Sequence, residues 1–493
     1  MWEILRNYWV HLTTLGALIG PILSVVTMAY VLLTKKNSTS AVAWCLLVFF
    51  LPLFGPFLFL LFGYQHVYRP LLRKRRHKRL FQRKPAAIRT APSDSDTLPG
   101  QAGDTHRSAG GRIEIFARLA RTFGAYPATF GNQITFYDSG QPAFDAMLEE
   151  IRSARHHVHL EFFIFQPDGT GRLFLETLTR KARGGVEVRL LYDAMGSRRL
   201  HRWRLWPLRK AGGKCSVFLP LNPLRRRIQI NMRNHRKILV VDGRVAFTGG
   251  LNIGDEYLGN NPRYGFWRDT HLRLEGPAVA DLQSVFMEDW DFAASEDLQG
   301  PAYFPALSTN GPHSVQVIQS GPDRELKGIR EMYFAAILRA RQRVWIATPY
   351  FVPDPGLLDA LCLAGHLGVD VRLLCQYHPD KWIPFFAGRY YWGDVLNAGV
   401  KVYQYTKGMM HSKVVLVDGE WASVGTANLD VRSLHLNFEV NSLIYSPEAV
   451  AELETAFRRD LAASIRLERH VFARRPLAGR LIDNACRLLS PIL

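Results

Sequence analysis

Cysteine is scarce in this 493-residue chain. The five present, Cys45, Cys215, Cys362, Cys375 and Cys486, are scattered, form no CxxC pair, and have no histidine beside them at metal-ligand spacing. This argues against a disulfide framework or a structural zinc, and for reduced, mostly buried thiols in a cytosolic setting. Acidic residues are few as well, 43 against 62 Lys and Arg, which gives a formal charge of +19. None occurs between Glu3 and Arg89. Such an excess calls for an anionic partner: nucleic acid, an acidic membrane surface or a phosphate-bearing substrate. The length permits more than one domain.

Long apolar runs are confined to the amino-terminal end. Leu12 to Leu33 and Ala41 to Phe62 each reach the roughly 20 residues of a bilayer-spanning helix. Pro21, Pro52 and Pro56 suit a membrane helix better than a soluble one. No small-residue cleavage site is evident and a second apolar run follows at once, against a signal peptide. Thr34 to Ser40 is short enough for a tight hairpin. The collar beyond it, Arg69, Arg73, Lys74, Arg75, Arg76, Lys78, Arg79, Arg83, Lys84 and Arg89, far outweighs Lys35 and Lys36. By the positive-inside rule both ends of the hairpin are cytoplasmic, with Trp9 and Tyr64 at interfacial positions. The collar either binds anionic headgroups or serves topology alone. Charge beside a hairpin, rather than in an aromatic-interleaved groove, speaks against nucleic acid as partner. Pro85 to Gly111 reads as a flexible linker. The expected organisation is a hairpin over 1–68 (helices about 12–33 and 41–62), collar and linker over 69–111, and two halves over 112–300 and 301–493.

The halves repeat one order of elements. Val158 to Phe165 reads as a strand, Arg172 to Arg183 as a helix and Val186 to Leu191 as a strand; Val344 to Thr348, Pro355 to Leu367 and Val369 to Leu374 follow the same order. Strands alternating with helices predict an α/β sandwich in each half, duplicated in tandem. A lettering of chemical interest also occurs twice: His235, Lys237, Asp242, Gly249 and Asn252, then His411, Lys413, Asp418, Gly425 and Asn428, at identical offsets and 176 residues apart. The β-branched runs Ile238 to Val241 and Val414 to Val417 end in Asp-Gly, a hairpin signal. Residues two apart share a strand face, so each motif presents an imidazole beside an ammonium, while Arg236 and Ser412 point the other way.

Two imidazoles suit a two-step displacement at phosphorus, one attacking and the other protonating the departing alkoxide. Two lysines and two asparagine amides supply charge and donors without a metal or cofactor. These residues form the HxKxxxxD signature with a GxxN extension, and the chain is identified on them as a member of the phospholipase D superfamily. Gly249-Gly-Leu-Asn-Ile-Gly-Asp-Glu-Tyr257, Trp267-Arg-Asp-Thr-His271, Thr348-Pro-Tyr-Phe-Val-Pro-Asp354 and Leu436-Asn-Phe-Glu439 narrow the resemblance to the bacterial cardiolipin synthases, as does the amino-terminal helix pair. It covers nearly the whole chain except the linker.

The resemblance implies two phospholipase D-like α/β/α sandwiches with the active site at their pseudo-twofold interface. It implies His235, Lys237, Asp242, His411, Lys413 and Asp418 as catalytic, Asn252 and Asn428 as phosphate donors, and His235 as nucleophile. The implied reaction transfers a phosphatidyl group between two phosphatidylglycerol molecules through a phosphohistidine, at a bacterial inner membrane; water as acceptor would make the same residues a hydrolase. Asp269 and Glu439 are expected either to hold an imidazole tautomer or to form structural salt bridges. An Asp-Gly turn explains Asp242 and Asp418 without chemistry. His156, His157 and His159 are expected as polar strand surface rather than metal ligands. Pro476 to Leu493 carries Leu477, Leu481, Ala485, Leu488 and Ile492 at helical spacing, suited to a membrane surface or to packing on the body. The oligomeric state is left open.

Overall fold

The computed structural model describes residues 19–35, 38–63, 107–220, 232–259, 261 and 264–493. Trp9, Tyr64, the basic collar and most of the expected linker lie outside these residues; a helix, Arg107–Thr122, begins within the stretch expected as linker. The chain divides at Leu72/Arg73 into two compact units.

In the amino-terminal unit a helix runs over residues 19–34 and another over Ser38–Phe50. The single helix expected from Ala41 to Phe62 is interrupted: residues 51–53 turn, Phe54–Leu58 resumes as a short helix, and Phe59–Gly63 winds as a π-turn. Pro52 is the cause, because it has no N–H for the carbonyl four residues back. That carbonyl, Val48 O, instead accepts from Ser24 Oγ at 3.2 Å, and the same hydroxyl lies 3.3 Å from Pro52 O. Among the described residues no helix is long and apolar enough to cross a membrane.

The second unit is built on one fifteen-stranded sheet. Its first seven strands are β1 (Thr129–Tyr137), β2 (His157–Phe162), β3 (Glu187–Asp193), β4 (Lys214–Phe218), β5 (Lys237–Val241), β6 (Val245–Gly249) and β7 (His271–Glu275). The next seven are β8 (His313–Ser320), β9 (Arg343–Ala347), β10 (Asp370–Gln376), β11 (Lys401–Tyr405), β12 (Val414–Val417), β13 (Trp421–Gly425) and β14 (Glu439–Ile444); β15 (Ser464–Arg466) closes the far edge. From the middle outward the first set runs β1-β7-β6-β5-β2-β3-β4 and the second β8-β14-β13-β12-β9-β10-β11. Adding seven to each label converts one half into the other. The halves are thus joined edge to edge, where β1 meets β8 antiparallel at Thr129↔Val315 and Asn132↔His313. Buried Asn132 secures that seam, donating to Thr129 O and His313 O and accepting from Ala278 N.

Alternation along the strands explains three layers. Leu239 and Val241 face a core with the helices Gly140–Ser153 and Gly169–Arg183, whereas Ile238 and Val240 face the opposite core. In β12, Val415 and Val417 face the helices Gly328–Arg339 and Pro355–His366, while Val414 and Leu416 turn to the same opposite core. That opposite core is shared by both halves and covered by the helices Ala278–Ala294 and Pro447–Ala462. The expected sandwiches are therefore present, but one interior layer runs continuously across the repeat.

Two expectations of exposure are corrected. His157 and His159 are fully buried rather than surface residues: His159 stacks on Phe286 at 4.5 Å, and both rings pack against Tyr303. Of the five free cysteines only Cys375 is buried, the others being partly exposed.

Candidate active site

The two motifs meet because short segments cross between the halves. Residues just before β5 run parallel to those just before β14: His235 N donates to Phe438 O and Phe438 N to Arg233 O, each at 2.9 Å. The mirror exchange pairs Gly408–Met410 with Phe266–Arg268, and His411 N donates to Arg268 O at 2.8 Å. Each histidine is thereby delivered to a carboxylate of the other half. His235 Nδ1 lies 2.9 Å from Glu439 Oε2, and His411 Nδ1 lies 2.6 Å from Asp269 Oδ2. With Nδ1–H held by a carboxylate, each imidazole presents Nε2 as its reactive atom.

The carboxylates are fixed in turn. Glu439 accepts from Thr426 Oγ1 at 2.6 Å and from Asn437 Nδ2 at 3.2 Å; Asp269 accepts from Thr270 N at 2.8 Å. The glycines of the extended motif make this possible. A Cβ at Gly249 would lie 2.5 Å from Thr270 O, and one at Gly425 would lie 2.4 Å from Asn441 Oδ1, so both strands need bare backbone beside the carboxylate-bearing chain. Lys237 and Lys413 are buried, and each ammonium donates to the carbonyl of its own motif histidine. Phe163 meets the His235 ring at 5.0 Å and Trp267 meets that of His411 at 5.2 Å. Asn252 accepts from Ile164 N and donates to the Tyr257 hydroxyl; Asn428 donates to Asp430, and its buried Oδ1 has no hydrogen-bond partner among the described residues.

Burial is the largest influence on the titrating groups. It drives His235 down to about 4 against the pull of Glu439, with Lys237 and Lys413 acting in the same direction as burial. His411 also falls to about 4, helped by Lys413 and opposed by Asp269 and Asp380. Lys237 is lowered to about 7 and Lys413 to about 8, despite Glu439 and Asp269. Burial alone would raise Asp269 and Glu439, yet the lysines and histidines hold both below the ordinary carboxylate range. At neutral pH the site therefore holds two neutral imidazoles, two carboxylates and two ammonium groups near their titration point. A phosphodiester anion entering it restores proton affinity to the lysines and to one imidazole.

Asp242 and Asp418, implied as catalytic by the family signature, are bonded away from the imidazoles. They stand at the far ends of β5 and β12, for β5 about 17 Å from the site along the strand. Asp242 accepts from the backbone N–H groups of Arg155, His156 and His157 at 2.7–2.9 Å, and Asp418 from those of Arg341, Gln342 and Arg343 at 2.8–3.0 Å. Both sit at positive φ, 52° and 54°, followed by Gly243 and Gly419 at 64° and 74°. This is the tight hairpin of an Asp-Gly turn, whose carboxylate also ties down the start of the neighbouring strand.

A network behind the first motif was not foreseen. Arg236 is fully buried, paired with Asp289 and bonded to Gln319 and to Glu439 O; Asn234 donates to Glu161, whose proton affinity burial and nearby Asp289 raise well above normal. At the matching place in the second motif, Ser412 Oγ simply meets Thr270 Oγ1 at 2.6 Å. An Arg flanked by motif residues was the only sequence signal, and the acids that answer it are remote in the chain.

Two family models match the chain: "Cardiolipin synthase, PLD-like domain" over residues 147–290 and 333–461, and "Phospholipase D-nuclease N-terminal" over 22–63. Similar proteins include "Cardiolipin synthase 2" of Bacillus cereus, 40% identical over 94% of this chain and 88% of the relative, and "Cardiolipin synthase" of Geobacillus kaustophilus, 41% identical over 95% and 92%. A solved phosphatidylserine synthase from Haemophilus influenzae superposes with a TM-score of 0.60 at 19% identity, over 77% of this chain and all of that one, a likeness of fold.

The geometry separates two kinds of acid. Glu439→Gln should leave the fold intact and cut kcat roughly 10²- to 10⁴-fold, as loss of a carboxylate orienting a histidine does. Asp242→Asn should lower stability by about 1–3 kcal/mol while sparing turnover per folded molecule. Thermal unfolding alongside rates normalised to folded protein checks both, and an inactive but stable Asp242→Asn protein would return that residue to the chemistry. On pH, kcat/KM reports the free enzyme. It should fall more steeply as pH rises through 7 to 8, where Lys237 and Lys413 lose their protons. A micellar rate profile flat well into the alkaline range would contradict this.

Proposed function

The chain belongs to the cardiolipin synthase family, and from that premise we propose that this phosphatidyltransferase takes the phosphatidyl group of one phosphatidylglycerol, releases glycerol, and passes the group to a hydroxyl of a second phosphatidylglycerol. The observation that carries the reading is the crossed pairing of His235 with Glu439 and His411 with Asp269, which leaves two imidazole Nε2 atoms free beside two buried lysines.

Once the bound phosphodiester anion has drawn a proton onto His411 Nε2, His235 Nε2 attacks phosphorus, the P–O bond to glycerol breaks, and His411 gives the leaving oxygen that proton. His411 then takes the proton of the incoming hydroxyl, whose oxygen displaces His235 from phosphorus and restores both rings. Lys237 and Lys413 balance the charge that builds on the phosphoryl oxygens, with the amides of Asn252 and Asn428 beside them. Both rings fall to about 4 and Lys413 lowers both, so this assignment of roles follows the order of the motifs in the family rather than a difference in surroundings. The motifs differ in charge, Glu256 four residues after Asn252 having Arg432 as its counterpart four residues after Asn428.

The amino-terminal unit is proposed as a bilayer hairpin of the bacterial inner membrane, with the catalytic body on the cytoplasmic side. Support comes from large apolar side chains left exposed in that unit, among them Ile22, Leu33, Phe49, Phe50 and Phe54, and from the family match over 22–63.

Detergent-solubilised protein given phosphatidylglycerol alone should yield cardiolipin and free glycerol in equal amounts. His235→Ala and His411→Ala should each lower the rate by roughly 10⁴-fold or more, since neither ring can play both parts. Phosphatidic acid without cardiolipin would mean that water is the acceptor, and a phosphatidyl adduct trapped on His411 would reverse the roles. For topology, a fluorescent protein fused after Leu493 should fluoresce in cells, while a periplasmic phosphatase fused there stays inactive; the opposite pattern would place the body outside.

A further inference from the structure

The tryptophans of the catalytic body are sharply divided. Trp267, Trp290, Trp345, Trp392 and Trp421 are buried, whereas Trp203, Trp206 and Trp382 are 65%, 60% and 58% exposed. The exposed three share a place in the topology. Trp203 and Trp206 lie in the crossover from β3 to β4, and Trp382 opens the helix Trp382–Asn397 in the equivalent crossover from β10 to β11.

Both crossovers leave the sheet at its catalytic edge. Asp193, the last residue of β3, accepts from the backbone N–H of Asn234 beside His235. Asp380 and Lys381, immediately before Trp382, act on His411 and Lys237 respectively. The first crossover is not a loose loop. Leu200, Leu205 and Leu208 are buried while Arg198, Arg199, Arg202 and Lys210 are exposed around the tryptophans, and no acid occurs from Ala194 to Phe218. Arg204 lies 4.4 Å over the Trp203 ring and Lys210 lies 5.0 Å over that of Trp206. In the second crossover Ile383 is also exposed, and the helix Leu477–Arg487 packs along Trp382–Asn397, Arg487 lying 4.3 Å over Tyr390 and Arg389 reaching Asp483 at 3.6 Å. That carboxy-terminal helix leaves Leu477 and Leu481 exposed, and Leu488 just beyond it is exposed too.

Indole rings with cations beside them, on buried leucine anchors, have the composition of a headgroup-level interface: the ring enters the boundary between headgroup and acyl chain while the cation stays with anionic phosphate. We propose that the openings of the two crossovers form a docking face by which the catalytic body seats on an anionic phospholipid bilayer, with Trp203, Trp206 and Trp382 inserted around the mouth of the site. The choice of a bilayer as partner rests on the phosphatidyl-transfer reading. In consequence a lipid headgroup needs to rise only a short way to reach His235 and His411, and its acyl chains need not leave the membrane.

The full chain in phosphatidylglycerol vesicles tests this without reference to catalysis. With brominated phosphatidylglycerol, fluorescence quenching should be clearly larger in the parent protein than in the Trp203→Phe/Trp206→Phe/Trp382→Phe variant, and this difference should shrink in brominated phosphatidylcholine. Equal fractional quenching in parent and variant overturns the proposal. Activity gives a second readout: the triple Trp→Ser variant should lose about tenfold or more on bilayer phosphatidylglycerol, a factor corresponding to about 1.4 kcal/mol, yet turn over monomeric short-chain phosphatidylglycerol at the parent rate. Equal losses on both substrates would make the tryptophans part of the body's own packing and also overturn it. Failure of the parent protein to form cardiolipin from either substrate would count against the transfer reading, with the quenching result standing by itself.

Discussion

Each imidazole of the site depends on a carboxylate that its own half does not possess. His235 is oriented by Glu439 and His411 by Asp269, and both partnerships are made by parallel backbone pairing of segments from opposite halves. Neither half alone would hold its histidine in one tautomer, and neither would hold its carboxylate against a cation. The requirement fixes the rest. The seam between β1 and β8 must set the two halves in register, Gly249 and Gly425 must let the crossing strands approach, and the interior layer under Ala278–Ala294 and Pro447–Ala462 must be continuous.

The same arrangement stores electrostatic tension. Two ammonium groups are buried with two carboxylates and two neutral rings, and burial depresses both lysines towards neutrality. A phosphodiester anion relieves this, so the polar groups that make the empty site costly are those that hold its substrate. Preorganisation here lies in burial and in the crossing of charges between halves.

The repeat was legible because the spacing of chemically distinctive residues survives in both copies: histidine, lysine, glycine and asparagine fall at equal intervals, and the β-branched runs between them announce strands. The pairs themselves were less legible. Asp269 and Glu439 stood out only as acids in motifs, because a contact between residues 204 apart, as His235 and Glu439 are, leaves no periodic trace. Asp242 and Asp418 share the regular spacing, and their place at a turn, with the carboxylate tying down the start of a neighbouring strand, is what an Asp-Gly pair announces. His157 and His159 looked like surface because nothing local announces a second layer; Phe286 and Tyr303, which cover them, come more than a hundred residues later. The helix break at Pro52 followed from a residue known to be tolerated within lipid, and only the Ser24 hydroxyl bonded to Val48 O shows how its missing hydrogen bond is met.

Fusion of the two halves into one sheet has a further consequence, visible where Arg236 and Ser412 occupy the same motif position. In a protein assembled from two identical chains, one residue would have to serve both sides of the axis, and a change helpful to one imidazole would be imposed on the other. Within a single polypeptide each copy is free to differ. The first carries a buried arginine with remote acids to answer it, and the second a small hydroxyl. A symmetric scaffold with unequal tenants can tell its two histidines apart before any substrate binds, whereas in a true dimer of the same halves only the bound substrate would distinguish them.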